Sequence, residues 1–271
     1  MLELPEIEVT KDRLRLALAG RVIAGAELRV AEALGTAEPP LATLAGRHVR
    51  SVSRHGRFLA IAAEGNLHLC LHPATGRLAL GPSAAPWTRH HLAALHLDRA
   101  EDLRLIEPGP VHRPLLHLVG DPGAVEGIAR LGPDPLGPTF TLTRFRSALG
   151  RRNRPLKRFL TDQRVLGGVG NCYADEILHE ARLSPLAAGP ALRADEAIRL
   201  YVAVKKVLQE AVLNLRRLAR FPDSEDRSFL RVHGRAGRPC PSCGGTVRRF
   251  ERDGLTADYC PNCQAGGRDR E

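Results

Sequence analysis

The stretch CPSCGGTVRRFERDGLTADYCPNC, residues 240–263, decides the fold of the C-terminal part of the chain. It contains two Cys-X-X-Cys pairs, formed by Cys240 with Cys243 and by Cys260 with Cys263. Each pair presents two sulfur atoms on one tight turn, and the sixteen residues between the pairs suit a β-hairpin that turns at Asp253-Gly254. Four thiolates leave no open coordination position, so the pattern predicts one structural, non-catalytic Zn²⁺.

The charge of the chain is uneven and points to a polyanionic partner. The net charge is +10, of which +8 falls in residues 151–271 and +2 in residues 1–150. A basic excess in one half favours nucleic acid over a merely basic surface. A membrane-surface role is less favoured, because the chain has no basic amphipathic helix with an aromatic face.

The hydropathy pattern places the protein in the cytosol. No uninterrupted apolar stretch approaches the length of a membrane span. Charged residues such as Glu3, Glu6 and Glu8 interrupt any N-terminal secretion signal. In a reducing compartment paired cysteines are metal ligands more often than disulfides, which supports the zinc interpretation.

The N-terminal half has the pattern of a β-sandwich with a capping helix. Residues 5–19 are predicted to be helical, since Pro5 suits a helix start and Gly20 can end the helix. Strand-like runs separated by turn residues follow at 21–30, 48–63, 67–80, 91–97 and 103–106.

A Pro- and Gly-rich segment, LGPDPLGP at residues 131–138, divides the chain, because it can continue neither a strand nor a helix. Helical patterns follow at 142–149, 155–160, 171–181 and 195–218. The sequence therefore predicts an α+β protein. Its predicted parts are a β-sandwich domain at 1–130, a linker at 131–141, a helical domain at 142–232 and a zinc finger at 233–271.

The segment GGVGNCYADE, residues 167–176, joins a glycine-rich turn to a helix start. Backbone N–H groups at such a turn, including that of Gly170, can hold a phosphate with help from the helix dipole. A packing turn between two helices explains the same residues equally well. The segment alone leaves both interpretations open.

Several motifs in order make the chain recognisable. They are ELPEIE (3–8), LGPDPL (131–136), Lys157 with Asp162, GVGNCYA (168–174), GRAG (234–237) and the four cysteines. The chain resembles the bacterial formamidopyrimidine-DNA glycosylase and endonuclease VIII family, which has a helix–two-turn–helix motif and a C-terminal zinc finger. The formamidopyrimidine branch fits better, because Glu3 is followed by Leu-Pro-Glu rather than Gly-Pro-Glu.

The resemblance implies a monomeric base-excision-repair enzyme that bends duplex DNA and flips out a damaged base. Members attack the sugar C1′ with an N-terminal proline amine and then eliminate phosphate. Glu3 matches the general acid/base of the family, and Glu6 is a second carboxylate beside it. Arg152, Lys157 and Asn171 match residues that hold DNA phosphates.

Several residues depart from the family pattern at positions that take part in the reaction or contact DNA. Leu2 stands where the family has the proline, and a leucine there is expected to block removal of Met1. Arg57 stands where the family has a lysine that supports elimination; arginine keeps the charge but does not readily lose a proton. Arg89 occupies a DNA-contact position that is usually histidine.

The residues that probe the DNA stack also differ from the family pattern. Ala74 replaces a methionine that fills the gap left by the flipped base. Residues 107–111, EPGPV, replace a stretch with Arg and Phe, so probing of the opposite strand is expected to be weak. Leu255 lies where the finger normally presents an arginine to the phosphates.

Two functional hypotheses follow from these matches and departures. In the first, the protein is a working DNA glycosylase, in which Glu3 or Glu6 activates water or protonates the sugar, with AP lyase activity as an addition. In the second, it is a catalytically inactive paralogue that binds damaged, abasic or bent DNA. A zinc-ribbon transcription or translation factor is a third class, but it leaves the N-terminal acidic motif unexplained.

Overall fold

Helix α1, Leu4–Leu18, begins the computed structural model, which describes residues 2–73, 76–109, 115–217 and 227–264. The described residues group into two compact units. Unit 1 contains Leu2 and Glu6–Arg130, and unit 2 contains Glu3–Pro5, Leu131–Arg217 and the described residues after 226. The domain boundaries given above remain predictions. Ala74 and residues 110 and 111 lie outside the described residues.

Unit 1 is built on two antiparallel sheets of four strands. The first sheet has the order β1-β6-β7-β5 and the second the order β2-β3-β4-β8. The strands are β1 Ile23–Leu28, β2 Val49–His55, β3 Phe58–Ala63, β4 Leu67–Leu71, β5 Arg77–Pro82, β6 His91–Leu97, β7 Glu101–Ile106 and β8 Leu116–Val119.

One apolar core joins both sheets and the first helix. Ile7 and Leu14 of α1 are fully buried in the same cluster as Leu59 of β3 and Leu95 of β6. Apolar residues of both sheets face this core, and Ile7, Leu14 and Leu18 of α1 pack against it. The predicted α+β class with a capped N-terminal β-sandwich is confirmed.

Three local features of the sandwich differ from the expectation. The single run predicted at 67–80 is two strands, β4 and β5, which belong to different sheets. The single run predicted at 48–63 is two strands, because Gly56 adopts a positive φ of 57° and turns the chain between His55 and Phe58. Strand β8 was not predicted, since its four residues are too few to show a period of two. It completes the second sheet by pairing with β4.

Unit 2 contains a group of helices packed around aromatic residues. Phe145, Phe159 and Tyr173 belong to its buried core. The four predicted helices are all found with small shifts at their ends. With the short α2 that closes unit 1, the helices are α2 Glu126–Ala129, α3 Leu142–Gly150, α4 Leu156–Thr161, α5 Asn171–Ala181 and α6 Ala194–Arg216.

The cysteine-rich stretch forms the predicted hairpin. Strand β9, Arg248–Arg252, pairs antiparallel with β10, Leu255–Tyr259. The turn lies at Asp253 and Gly254, whose φ angles of 52° and 68° are both positive, as a two-residue turn between twisted strands requires. Among the described helices, none has the length and apolar character needed to cross a membrane.

Candidate functional site

The carboxylate of Glu3 is bound to the first turn of α5. Glu3 Oε2 accepts the N–H groups of Gly170 at 2.8 Å and of Tyr173 at 3.2 Å, and Oε1 accepts the N–H of Cys172 at 2.9 Å. The first N–H groups of an α-helix point out of its N-terminal end, so a carboxylate there caps the helix and meets the positive end of its dipole. Glu3 is 4% exposed. The predicted acid/base residue is therefore also the N-terminal cap of α5.

The glycine-rich turn before α5 is held from inside unit 2. Gly168 has a φ of +97°, its N–H donates to Gln163 Oε1 at 2.8 Å, and its carbonyl accepts the N–H of Leu4 at 3.0 Å. The N–H of Gly170 points to Glu3. An internal carboxylate therefore accepts this N–H, and the contact of Gly170 with a DNA phosphate stays a prediction.

Lys157 also has an internal partner. Its side chain is 0% exposed, and its Nζ donates to Asp175 Oδ1 at 2.5 Å and to the backbone carbonyl of Asn171 at 2.6 Å. A buried ammonium group needs such an opposite charge, because its desolvation costs several kcal/mol even after the protein relaxes around it. Lys157 therefore stabilises the start of α5 from within unit 2, and its contact with a DNA phosphate stays a prediction.

Asn171 and Arg152 are the predicted phosphate-binding residues that reach the surface of unit 2. Asn171 is exposed at the first position of α5, and Arg152 is partly exposed between α3 and α4. Nearby, Arg154 binds Asp162 at 2.6 Å. Burial would raise the pKa of Asp162, but the Arg154 guanidinium and a backbone N–H lower it below its ordinary value. Arg152 therefore lies near the ion pair of Arg154 with Asp162.

The other predicted catalytic and DNA-binding residues lie in unit 1. Leu2 is 4% exposed and belongs to the sandwich core, and Glu6 is fully buried on α1. Arg57 follows Gly56 in the turn between β2 and β3. Arg89 is exposed and donates from Nε to His90 Nε2 at 3.2 Å. The side chain at position 2 therefore serves packing in this protein.

The four cysteines are brought together. Cys240 Sγ lies 3.8 Å from Cys263 Sγ, and Cys243 Sγ lies 3.5 Å from Cys260 Sγ. All four sulfur atoms lie within 4.8 Å of one another. Metal–sulfur bonds of about 2.3 Å in a tetrahedron separate sulfur atoms by about 3.8 Å, so the cluster fits one thiolate-bound metal ion.

Neighbouring groups act differently on the four cysteines, and burial raises the pKa of Cys260 and Cys263. A backbone N–H at Gly245 and the neighbouring thiols lower the pKa of Cys243 to about 7. His179 Nε2 lies 3.4 Å from Cys240 Sγ, and burial lowers the pKa of His179, which favours the neutral imidazole as a donor to sulfur. Leu255, where an arginine was expected, is 7% exposed and lies opposite Arg252 in the hairpin.

Sequence reasoning missed the buried acidic pair of α5. Asp175 is 2% exposed, and Glu176 accepts the backbone N–H groups of Arg231, Val232 and His233 at 2.8–2.9 Å. Burial raises the pKa of Glu176. Two adjacent acids with apolar neighbours on both sides, Ala174 and Ile177, were the available signal, since such residues are buried only when they are paired.

The comparisons with known proteins agree along the whole chain. The model of the formamidopyrimidine-DNA glycosylase N-terminal domain matches residues 1–109, and that of the family's H2TH domain matches residues 131–219. The formamidopyrimidine-DNA glycosylase of Thermus thermophilus is 39% identical over 98% of this chain and all of the relative. That of Heliobacterium modesticaldum is 36% identical over 97% of this chain and all of the relative.

Solved structures show the same fold. The crystal structure of the MutM (Fpg) protein of Thermus thermophilus has a TM-score of 0.84 at 37% identity and covers 98% of this chain and all of that one. The Lactococcus lactis Fpg, solved in complex with DNA containing an abasic site, has a TM-score of 0.88 at 23% identity. It covers 97% of this chain and 99% of its own, and its likeness concerns the fold alone.

Proposed function

Since the chain belongs to the formamidopyrimidine-DNA glycosylase family, we propose that it binds duplex DNA with a damaged base or an abasic site and removes the damaged base. The observation that carries the proposal is the junction of Glu3 with α5. It holds a buried carboxylate at the start of α5, where Asn171 is exposed, so that hydrogen bonds join a charged group for the sugar to the helix that carries a contact for the phosphate.

Hydrolysis is the chemistry that these residues support best. As the bond from C1′ to the base breaks, positive charge develops on the sugar, and a fixed carboxylate stabilises it. Water then adds its hydroxyl group at C1′, while its proton goes to the departing base. Three N–H groups position Glu3 to stabilise the positive charge on the sugar. Glu6 is the second carboxylate that we propose takes part in the reaction.

The route through an N-terminal amine is less well supported. Leu2 replaces the proline of the family and packs in the sandwich core, and Arg57 replaces the lysine that supports elimination. Borohydride trapping on an abasic duplex tests this distinction. The wild-type protein is expected to give no covalent adduct, whereas Leu2→Pro with Met1 removed is expected to gain one. An adduct with the wild-type protein would instead assign lyase chemistry to its own amine.

A protein that binds damaged DNA without cutting it is the second candidate. Both oxygens of Glu3 are already used as acceptors by α5, which favours a purely structural carboxylate. Arg152, Asn171, Arg57 and Arg89 would then provide binding alone. This candidate predicts a higher affinity for an abasic duplex than for an undamaged one, and no release of any damaged base.

The proposal includes one Zn²⁺ held by Cys240, Cys243, Cys260 and Cys263. Bound there, the ion would have no open coordination site and would hold the finger together.

We further propose a monomer in the bacterial cytosol, which is the compartment of its DNA substrate. Metal analysis of the purified protein is expected to give one zinc per chain, and sedimentation is expected to give the mass of a single chain.

A further inference from the structure

A line of charged side chains crosses unit 2 and has no part in the proposed chemistry. Asp175 Oδ1 accepts Lys157 Nζ, and Asp175 Oδ2 lies 2.8 Å from His233 Nδ1. At the other end, Asp258 Oδ1 and Oδ2 accept the guanidinium of Arg249 at 2.8 and 2.9 Å. Both carboxylates are buried, with side-chain exposures of 2% and 0%. Such a network must be internally balanced in charge.

The same residues do not make a second metal site. Oxygen and nitrogen atoms of Asp175, His233 and Asp258 lie within 4.8 Å of one another, a spacing that metal ligands also show. However, Lys157 neutralises the first carboxylate and Arg249 the second. A divalent cation would add two positive charges to a cluster that is already balanced. The cluster is therefore a set of internal contacts.

His233 and its neighbour Gly234 join α5 to the hairpin. Because an ionised carboxylate only accepts, His233 Nδ1 carries the proton and donates to Asp175 of α5. The N–H of Gly234 donates to Asp258 Oδ2 of β10 at 2.7 Å. Two adjacent residues thus bind two different elements, one through a side chain and one through the backbone.

The backbone at His233 is held independently of its side chain. Glu176 accepts the N–H groups of Arg231, Val232 and His233, as described above. Replacing the imidazole therefore removes the contact with Asp175 without releasing the segment that leads into the finger. This separation makes the contribution of one side chain measurable.

We infer that His233 is a positioning residue that fixes the finger hairpin relative to the start of α5. One end of the line reaches the carbonyl of Asn171 through Lys157, and the other reaches Arg249, whose side chain is 49% exposed. Three arginines of β9, Arg248, Arg249 and Arg252, are of the residue type that contacts phosphates, and a fixed spacing between them and Asn171 removes an ordering cost from DNA binding. The inference rests on the proposed function, since it assigns His233 a role in that DNA contact.

Three variants test the inference. His233→Ala removes the donor to Asp175, whereas His233→Asn keeps an N–H near the position of Nδ1. His96→Ala is the matched control, because His96 Nδ1 also lies 2.8 Å from a buried carboxylate, that of Asp102 in the sandwich. The probe is a duplex with a tetrahydrofuran abasic analogue, and affinity is measured over a range of salt concentrations.

The expected result is a loss of affinity for His233→Ala of about tenfold, as for one hydrogen bond to a charged group. The slope of log K against log salt should weaken by about 0.9, as for one lost phosphate contact. Zinc content should stay at one per chain. His233→Asn and His96→Ala should bind within about twofold of the wild-type protein. Unchanged affinity and slope in His233→Ala, or equal losses in the Ala and Asn variants, would overturn the inference.

Amide hydrogen exchange without DNA separates this inference from the proposed function. His233→Ala is expected to speed exchange in β10 while the cysteine cluster keeps its metal, because the hairpin loses one of its ties to α5. Unchanged exchange in β10 would contradict the role of His233 whatever the protein binds. If the wild-type protein does not prefer the abasic duplex, the proposed function is contradicted. The exchange rates of β10 then still test whether His233 positions the hairpin.

Discussion

Glu3 illustrates how one side chain combines two tasks. Its carboxylate accepts N–H groups from residues that follow it by about 170 positions in the sequence, so no local pattern could reveal the contact. The resemblance predicted an acid/base role, and the structure adds the capping of α5. For Lys157 and Gly170 the phosphate contacts stay predictions, and the structure adds internal partners, because burial and long-range pairing are not visible in a sequence.

The pair of Lys157 and Asp175 gives a prediction about stability. Lys157→Met leaves a buried carboxylate without its cation, which is expected to cost about 3–5 kcal/mol in the free energy of unfolding. Denaturant unfolding measures the loss. The control is Lys206→Met, which breaks the surface pair with Glu180, where the lysine side chain is 46% exposed. This change should cost less than about 1 kcal/mol. Similar losses for the two variants would contradict the internal role of Lys157.

The secondary-structure elements with a strong local sequence pattern were predicted best. The helices of unit 2 and the turn of the finger followed from apolar periodicity and from the Asp253-Gly254 pair, whose positive φ angles suit those residues. Strand β8 was missed because four residues carry too little pattern. The pairing of β4 with β8 depends on contacts between distant parts of the chain, so the sequence could not supply it.

Strand β7 gives a prediction about pH. Burial would raise the pKa of Asp102, but its bonds with Ser83, His96 and Arg104 outweigh burial and lower that pKa. A lowered pKa in the folded state stabilises the protein at neutral pH, and this contribution is lost as the pH falls below about 4. Fluorescence of Trp87, the one tryptophan of the chain, follows the unfolding of the sandwich. The denaturant concentration at the midpoint of unfolding should decrease as the pH is lowered from 6 to 3.

Asp102→Asn is the control for this pH dependence. The amide cannot titrate, so the variant should be less stable than the wild-type protein at pH 6 and should lose less stability on acidification. Parallel pH curves for the two proteins would show that Asp102 does not contribute to the acid sensitivity of the sandwich.

For the whole molecule, the finger and the sandwich should respond differently to loss of metal. A chelator is expected to remove one zinc per chain, to unfold the hairpin and to weaken DNA binding at least about tenfold, because metal binding and folding are coupled in such fingers. Trp87 lies in unit 1, so the thermal unfolding transition that its fluorescence reports should persist. Cys260→Ser should reproduce the effect, whereas Cys172→Ala should retain zinc. A Cys260→Ser variant with full zinc content and affinity would contradict the finger assignment.

The order of motifs along the chain predicted the family and the fold class, and the full-length matches agree with it. The departures at Leu2 and Arg57 bear on chemistry and leave the fold intact. A sequence can thus identify the scaffold through widely separated anchors, while the reaction depends on a few atoms whose neighbours only the structure describes.

Release of a damaged base from a duplex tests the central claim most directly. A duplex with a formamidopyrimidine lesion is incubated with excess protein, and the free base and the strand are quantified in a single turnover. The wild-type protein is expected to release the base and leave an uncut abasic strand. Glu3→Gln is expected to slow release by at least about 100-fold while still binding an abasic duplex. Tight, lesion-selective binding by the wild-type protein with no base released would contradict the account and favour the binding-only candidate.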